Sequence, residues 1–250
     1  MGTWTRQELK YRAKQSLRTS YWKGFLVSLL LAFITGGLPS CSSQVSGGSR
    51  GSSIRTEIGG MDDGIWGMIL LIGIVVAIVV GLFMLAFHIF VTSPFTVGVR
   101  KYFIRSAEGD ANMNELGFGF GKGRYMAAVV SMLWAKLLNF LWFLLLVIPG
   151  IVKAYAYSMV PYLLADNPTI GRKRAVELSN RMTRGHKLRI FVLDLSFIGW
   201  YLLGTLACVV GVLFVMPYYN AVKAELYLAI RREALEEGLC SPEELNLVNV

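Results

Sequence analysis

Histidine and cysteine, which build most metal centres and many catalytic sites, are rare in this chain. Among 250 residues there are two histidines and three cysteines. Cys41, Cys208 and Cys240 stand far apart with no CxxC spacing, so neither a zinc site nor a disulfide framework is indicated. His88 and His186 give little material for a histidine metal site or a Ser-His-Asp triad. We therefore expect no enzymatic activity, no metal and no cofactor.

Charge is also scarce, because 16% of the residues are charged and 54% are hydrophobic. A soluble chain of this length would have too little polar surface to cover its apolar residues. The net charge of +9 is a property of many nucleic-acid-binding proteins, but the basic residues here stand at helix ends and between apolar runs. That distribution suits anionic lipid headgroups, so we expect membrane lipids as partners and no nucleic acid.

The longest uncharged stretch comprises residues 65–95, in which His88 is the one ionisable side chain. An α-helix needs about 20 apolar residues to cross the hydrocarbon core of a bilayer. The stretch exceeds that length. The sequence therefore predicts an integral membrane protein.

The N-terminal part of the chain allows two interpretations. Basic residues precede the apolar stretch 24–34, and Leu38-Pro39-Ser40-Cys41 resembles a bacterial lipoprotein cleavage site. Signal peptides, however, have a short and unstructured basic region, whereas the basic region here is long and has a helical pattern. We therefore expect an uncleaved first membrane helix.

An internal repeat organises the remainder of the chain. Glu8, Glu115 and Glu177 each precede a leucine in a basic segment, and each segment is followed by two apolar runs with a break between them. Coincidence among membrane-like compositions is the alternative. The repeat predicts an all-α fold: a polytopic membrane helix bundle of about six transmembrane segments, arranged as three hairpins with amphipathic cytoplasmic interfacial helices.

We expect a single integral membrane domain over residues 1–250. Its parts are a cytoplasmic amphipathic helix at 1–21, a first hairpin at 22–105 with an outer Ser/Gly-rich loop at 38–64, a second hairpin at 106–165, a cytoplasmic amphipathic helix at 166–187, and a third hairpin with the C-terminal tail at 188–238. Turns are expected at Pro149-Gly150 and at 208–211. The glycine-rich stretch 117–123 lacks the context of a phosphate-binding loop and is interpreted as a flexible connection.

Lysine and arginine cluster in the N-terminal stretch and in both segments between hairpins. The positive-inside rule then places these segments and both termini in the cytoplasm. In the segment 166–187, one helical face is basic and the opposite face is apolar, with Asn167-Pro168 as the predicted helix start. The basic face supplies candidate contacts to anionic lipid: Lys173, Arg174, Arg181 and Arg184. A purely structural belt around the bundle is the alternative.

Three stretches carry a family resemblance. They are PGIVKAYAYSMVPYLLADNP from Pro149, GHKLRIFVLDLSFIGW from Gly185, and PYYNAVKAELYLAIRR from Pro217. Together with the opening RQELKYRAKQSL and TSYWKGF, they resemble the bacterial membrane proteins catalogued as domain of unknown function 975. The resemblance implies a multi-pass protein of the bacterial cytoplasmic membrane and no established activity.

Ionisable side chains at membrane depth are the candidate functional residues, because burying them is costly and they usually face a cavity or a partner. This candidate intramembrane polar cluster comprises Lys136, Lys153, Asp194, Lys223 and Glu225. If the hairpins pack together, Asp194 or Glu225 is placed to pair with Lys136 or Lys153. Such a pair would bind a polar headgroup, couple a proton to transport, or clamp the bundle.

Two functional hypotheses follow from these observations. The first is a non-enzymatic membrane scaffold or accessory subunit that interacts with lipid and with an unidentified membrane or cytoplasmic protein. The alternative is a small transporter, exporter or lipid-translocating protein, which internal repeats and intramembrane charges would permit. Transporter repeats usually come as two units, so three hairpins of one orientation favour the first hypothesis.

Overall fold

A computed structural model describes residues 4–35, 63–206 and 210–247. The described residues are 83% helical and contain no strand, which confirms the all-α prediction. Contacts divide the chain into two units: Met1–Gly37 with Ile89–Val250, and Leu38–His88. Residues 38–62 of the predicted loop lie outside the described residues, and a helix begins at Asp63. The predicted turn 208–211 is described only from Val210, where another helix begins.

The α-helices are numbered here in chain order. Their bounds are α1 Arg6–Thr35, α2 Asp63–Phe87, α3 Ser93–Ala107, α4 Tyr125–Leu145, α5 Val147–Ala156, α6 Val160–Asp166, α7 Arg172–Met182, α8 Lys187–Leu206 and α9 Val210–Glu236. A π-helical turn, His88–Thr92, precedes α3, and a 3₁₀ helix, Met113–Phe120, follows it.

Helix α1 has two parts that meet at Ser20, where the backbone leaves helical geometry and the axis bends by 102°. Its start is capped by Thr5, whose hydroxyl accepts a hydrogen bond from the amide of Glu8 at 3.2 Å. In the first part, the apolar side chains of Leu9, Ala13 and Leu17 recur at helical spacing and are buried in the core. Helix α1 packs mainly against α9.

Helix α2 is apolar on all sides. From Gly67 to Phe87 every residue is exposed. A helix that is hydrophobic all round needs an apolar surrounding, which a lipid bilayer supplies.

Four helical stretches are long and apolar enough to cross a membrane: Gly67–Ala107, Tyr125–Leu145, Val147–Asp166 and Lys187–Thr205. The bent α1 raises the number to five if its two parts form one span. The sequence predicted about six segments, and α9 is not among the stretches found. Its apolar first half is followed by Lys223 and Glu225, which keep the helix from being uniformly apolar.

The second hairpin turns three residues earlier than predicted. Leu146 has an extended backbone, with φ −160° and ψ 143°, and separates α4 from α5. Pro149 lies in the first turn of α5, where its missing amide proton costs no helical hydrogen bond. Gly150 permits close packing, because a Cβ atom there would lie 2.7 Å from the ring of Phe143. The reversal expected at Pro149-Gly150 is therefore wrong in position.

Helix α7 also begins later than predicted. Its N-cap is Gly171, which has a φ of 87° and so suits glycine. The Asn167 side chain instead accepts a hydrogen bond from the amide of Thr169 at 2.9 Å and forms a local turn. The start predicted at Asn167-Pro168 is wrong, because this side chain caps a turn that is not continued as a helix.

The glycine-rich stretch is a structured element, contrary to the flexible connection expected. Residues Met113–Phe120 form the 3₁₀ helix, which packs against α3. Gly98 of α3 approaches the carbonyl oxygen of Leu116 so closely that a Cβ atom would lie 2.1 Å from it. Gly119 approaches the carbonyl oxygen of Pro94 to the same distance. The glycines therefore serve close backbone packing.

Candidate functional site

Helix α9 carries three buried polar or charged side chains, Asn220, Lys223 and Glu225. It contacts α1, α3, α7 and α8, and its residues 221–227 are all buried. Its ionisable and amide side chains point in different directions around the axis. These side chains take part in three polar clusters with the neighbouring helices.

The first cluster joins α8 to α9. The ammonium of Lys223 lies 2.6 Å from one carboxylate oxygen of Asp194 and donates a hydrogen bond of 2.9 Å to the other. The hydroxyl of Tyr219 donates to Asp194 at 3.4 Å, and the Lys223 ammonium lies 5.5 Å from the centre of the Tyr219 ring. A buried charge is tolerated when a partner of opposite charge and further hydrogen bonds compensate its lost hydration.

The second cluster joins α3, α6 and α9 around the carboxylate of Asp166, which is almost fully buried. Asp166 accepts hydrogen bonds from the Tyr227 hydroxyl at 2.6 Å and from the Arg231 guanidinium at 2.9 Å. Lys101 lies 3.8 Å away. Arg231 also reaches Glu108 at 2.8 Å, so a single guanidinium connects two carboxylates from different parts of the chain.

The third cluster is a line of polar groups across three helices. Arg100 of α3 donates to the side-chain oxygen of Asn220 at 2.7 Å, and the Asn220 amide donates to the Ser28 hydroxyl at 3.1 Å. The Arg100 guanidinium also lies 5.1 Å from the centre of the Tyr162 ring. Within the described part of the chain, the Nε of Arg100 is buried and has no hydrogen-bond partner.

The structure joins two of the five residues in the candidate intramembrane polar cluster, Asp194 and Lys223. Lys136 is exposed on α4 and has no carboxylate within ion-pair distance among the described residues. Lys153 stacks on aromatic rings, 4.9 Å from Trp142 and 6.0 Å from Tyr157. Asp194 therefore pairs with Lys223 on the adjacent helix, and not with the lysines considered from the sequence.

Glu225 lies on a different side of α9 from Lys223. It is buried and lines a cavity of about 870 Å³ between the first part of α1, the end of α3 and the second half of α9. Among the described residues it has no hydrogen-bond or ion-pair partner. Burial raises the pKa of its carboxyl, while the positive charges of Arg12 and Arg232 oppose that rise.

The four candidate lipid contacts, three on α7 and one just beyond its end, differ in availability. Arg174 reaches the tail, where it donates to both carboxylate oxygens of Glu244, at 2.6 and 3.1 Å, and to the Leu239 carbonyl at 3.0 Å. Hydrogen bonds from Arg174 hold the pKa of Glu244 below its ordinary value. Arg181 forms an exposed ion pair with Glu177 on the same helix.

Lys173, on α7, and Arg184, just beyond the end of that helix, are the remaining two candidates. Both are exposed, and neither has a carboxylate within ion-pair distance among the described residues. The opposite face of α7 is buried by protein, including Ala175, Val176 and Leu178. An apolar face covered in this way is unavailable for insertion into lipid, so any lipid contact of α7 must come from its basic face.

Sequence reasoning missed the Asp166 and Arg100 clusters. Asp166 stands directly before the Asn167-Pro168 pair that was interpreted as a helix start, and Arg100 was counted only as a basic residue between hairpins. A charge directly after a buried apolar run, as in Tyr162-Leu-Leu-Ala-Asp166, was the available signal. Its partners on α9 lie more than 60 residues away and depend on helix packing.

Comparison with known proteins places the chain in a family. No curated protein and no solved structure matches it. One family model, described as "Protein of unknown function (DUF975)", matches residues 25–234. That range includes all three polar clusters and most of the helices described above. The chain therefore belongs to the DUF975 family of proteins of unknown function, as the resemblance of its last three motifs indicated.

Proposed function

We propose that this protein is a non-enzymatic membrane scaffold or accessory subunit whose basic end interacts with anionic lipid. The observation that carries the proposal is the pairing of charges across helices, above all the buried Lys223 with the partly exposed Asp194. Separating a buried ion pair leaves an uncompensated charge and is strongly unfavourable. Such pairs hold helices in fixed positions, which suits a scaffold better than a transport cycle in which charges change partners.

The proposed orientation has both termini and the segments between hairpins in the cytoplasm of a bacterial cell. Six crossings result if the second part of α1 and the first half of α9 are added to the four apolar stretches. Support comes from the clustering of lysine and arginine in those segments. In a background with Cys41→Ser, Cys208→Ser and Cys240→Ser, a cysteine at Lys173 should then react with an impermeant maleimide only in permeabilised cells. A cysteine at Ser49, in the predicted outer loop, should react in intact cells, and the reverse pattern would refute the orientation.

Native mass spectrometry of the protein, extracted gently from its own membrane, tests the scaffold role. We expect a protein companion in fixed stoichiometry. A monomer or homo-oligomer without a protein companion would contradict the proposal.

Variants of the buried pair extend this test. Asp194→Asn should lower the membrane level of the protein, and the companion should fall in proportion, because the variant damages the bundle. The exposed pair offers a control, Glu177→Gln, which should leave both quantities unchanged. Full membrane levels of Asp194→Asn with unchanged companion binding would show that the buried pair is not a clamp.

Transport or lipid translocation is the second candidate, and one observation favours it. The polar line from Ser28 through Asn220 ends at Arg100, whose Nε is buried without a partner in the described part of the chain. Groups of this kind line solute paths in membrane proteins. Under this alternative, Asn220→Ala would abolish function at a normal membrane level, whereas a scaffold would tolerate it or fail to accumulate.

A further inference from the structure

The cavity beside Glu225 is separate from the buried clusters that support the scaffold proposal. It has a volume of about 870 Å³ and lies where α1 bends at Ser20, beside the end of α3 and the second half of α9. Trp22, which is largely exposed, stands two residues after the bend. Exposed tryptophans are enriched where a protein meets the boundary between lipid and water.

The charges that line the cavity fall into two groups. Arg12 is paired with Glu8, and Arg231 is paired with Glu108. The remaining four have no ion-pair partner among the described residues: two cations, Lys23 and Arg232, and two carboxylates, Glu225 and Asp110. The free charges of the cavity are therefore balanced, and they match a ligand with one charge of each sign.

Glu225 is the most constrained of these four groups. Its residue surface is 7% exposed, and its carboxylate has no hydrogen-bond donor among the described residues. Its oxygens are not among the fully buried polar atoms without a partner, so they face the cavity, and burial of the rest of the side chain makes the ionised form costly unless a donor is supplied there. A primary ammonium supplies three N–H donors and the opposite charge, and thus satisfies this group better than a neutral or a methylated ligand.

The two cations without an ion-pair partner suit a phosphate; Lys23 also donates a hydrogen bond of 3.4 Å to the Ala111 carbonyl. A guanidinium offers paired donors that match phosphate oxygens, and a lysine ammonium adds a point charge. Apolar side chains complete the wall of the cavity, among them Leu228, Leu235 and Leu247. Such a wall accommodates the uncharged part of an amphiphile next to its headgroup.

We infer that this cavity binds a zwitterionic ligand that carries a phosphate and a primary ammonium, with the phosphate at Arg232 and Lys23 and the ammonium at Glu225. The headgroup of an aminophospholipid and a free phosphorylated amine share this chemistry. The lipid source rests on the proposed membrane orientation, whereas the site itself does not.

Binding to the full-length protein in detergent tests the inference in two arms. In the lipid arm, native mass spectrometry compares short-chain phosphatidylethanolamine with phosphatidylcholine, whose ammonium has three methyl groups and no N–H donor. In the soluble arm, thermal unfolding is followed with phosphoethanolamine and with phosphocholine. We expect about tenfold tighter binding of the ethanolamine compound, the size of one lost charge-assisted hydrogen bond.

Matched variants assign the contacts. Glu225→Gln should remove the preference for ethanolamine over choline, whereas Glu243→Gln, on the exposed tail, should preserve it. Arg232→Gln should weaken both compounds by a similar factor, and Arg184→Gln should weaken neither. Glu225→Gln keeps the shape of the side chain, and its thermal unfolding without ligand shows that the variant is folded.

The outcomes separate the two sources and the two proposals. A preference in the lipid arm supports an aminophospholipid, and a preference confined to the soluble arm supports a free phosphorylated amine. Equal binding of the ethanolamine and choline compounds, no binding in either arm, or an unchanged preference in Glu225→Gln overturns the inference. The protein companion sought for the scaffold proposal is measured independently, so either proposal can fail without the other.

Discussion

The ammonium of Lys223 on α9 and the carboxylate of Asp194 on α8 form an ion pair at 2.6 Å. Lys223 is buried on all sides of its stem, and the Tyr219 ring covers its charged end. A charge in this position depends on its partner, because water does not replace the lost contact. The contribution of the Lys223–Asp194 pair to stability is therefore measured by replacing one of its two residues.

We predict that Asp194→Asn lowers the free energy of unfolding by about 3 kcal/mol, because Lys223 keeps its charge and loses the carboxylate that compensates it. Lys223→Gln should cost less, because Asp194 is partly exposed and recovers contact with water. The double variant should be more stable than the sum of the single effects predicts. Thermal unfolding in detergent measures this cycle, and additive effects would show that the pair is uncoupled.

Unlike Lys223, the buried Glu225 has no ion-pair or hydrogen-bond partner in the described part of the chain. Its pKa is raised by burial, so the ionised form costs stability above that pKa and the cost disappears as the pH falls through it. We predict that Glu225→Gln raises the unfolding temperature at pH 8 when no ligand is present. The difference from the wild type should shrink toward pH 5.

Thermal scans of both proteins over this pH range check the prediction for Glu225. Glu243→Gln is a suitable control, because Glu243 is exposed. A variant less stable than the wild type at pH 8 would mean that the ionised carboxylate has a stabilising partner in the folded protein.

At the scale of elements, the contact between α3 and the 3₁₀ helix depends on two glycines. We predict that Gly98→Ala destabilises the protein by about 1–3 kcal/mol or more, because the new methyl group overlaps the Leu116 carbonyl and the two elements must separate. Gly117→Ala is the matched control, since a Cβ atom at Gly117 has no neighbour within 4 Å. Equal unfolding temperatures for the two variants would refute the close contact.

The tail and α7 are joined by Arg174 and Glu244, with Cys240 buried nearby. Because Arg174 lowers the pKa of Glu244, the pair contributes stability above the unfolded pKa of glutamate, about 4.3, and loses it as the pH falls further through the folded value. We predict that the Cys240 thiol is already exposed at pH 7 in Glu244→Gln. In the wild type the thiol should become exposed only when Glu244 is protonated, below the unfolded pKa of glutamate.

The Cys240 test uses a background with Cys41→Ser and Cys208→Ser and a disulfide reagent that reacts at acid pH. Glu243→Gln should leave the thiol protected at pH 7, since the neighbouring Glu243 has no ion pair among the described residues. Protection of Cys240 in Glu244→Gln at pH 7 would show that the tail is held by its apolar contacts alone.

Sequence patterns predicted the class of the elements better than their ends or their contacts. The apolar stripe Leu9, Ala13 and Leu17 is helical and buried, because local spacing alone determines which side chains share a face. The helix starts at Val147 and Arg172 were misplaced, because Pro149 tolerates a helical first turn and Asn167 caps a turn of its own. The conformational preferences of Pro and Asn alone do not tell whether the residue starts a helix or forms a separate turn.

The candidate site was predictable only in part, and for a different reason. Asp194 and Lys223 were selected because ionisable groups among apolar residues are conspicuous in any sequence. Their pairing with each other, and the pairing of Asp166 with Arg231, depend on how α9 is rotated against its neighbours. That rotation follows from the packing of the whole bundle, which no local window of sequence contains.

At the scale of the whole molecule, most of the lysines and arginines lie outside the four apolar stretches. Many basic groups are engaged by protein, such as Arg174 by Glu244 and Arg231 by Asp166. Those that remain exposed without carboxylate partners include Lys173 and Arg184. The set of basic groups available for the proposed contact with anionic lipid is therefore smaller than the composition alone implies.

We predict that Lys173→Gln and Arg184→Gln each weaken the preference for phosphatidylglycerol over phosphatidylcholine by about fivefold, since a basic residue near an anionic surface contributes about 1 kcal/mol. Lys136→Gln, on an apolar helix, and Arg174→Gln, whose charge is already engaged by Glu244, should have smaller effects. Lipid retained through detergent exchange, counted by mass spectrometry, gives the measurement. Raising the salt concentration from about 0.1 M to 1 M shortens the screening length from about 10 Å to 3 Å and should remove the difference between variants.

Equal losses of lipid preference in all four variants would mean that lipid responds to the total charge of the protein and not to the exposed side chains of Lys173 and Arg184.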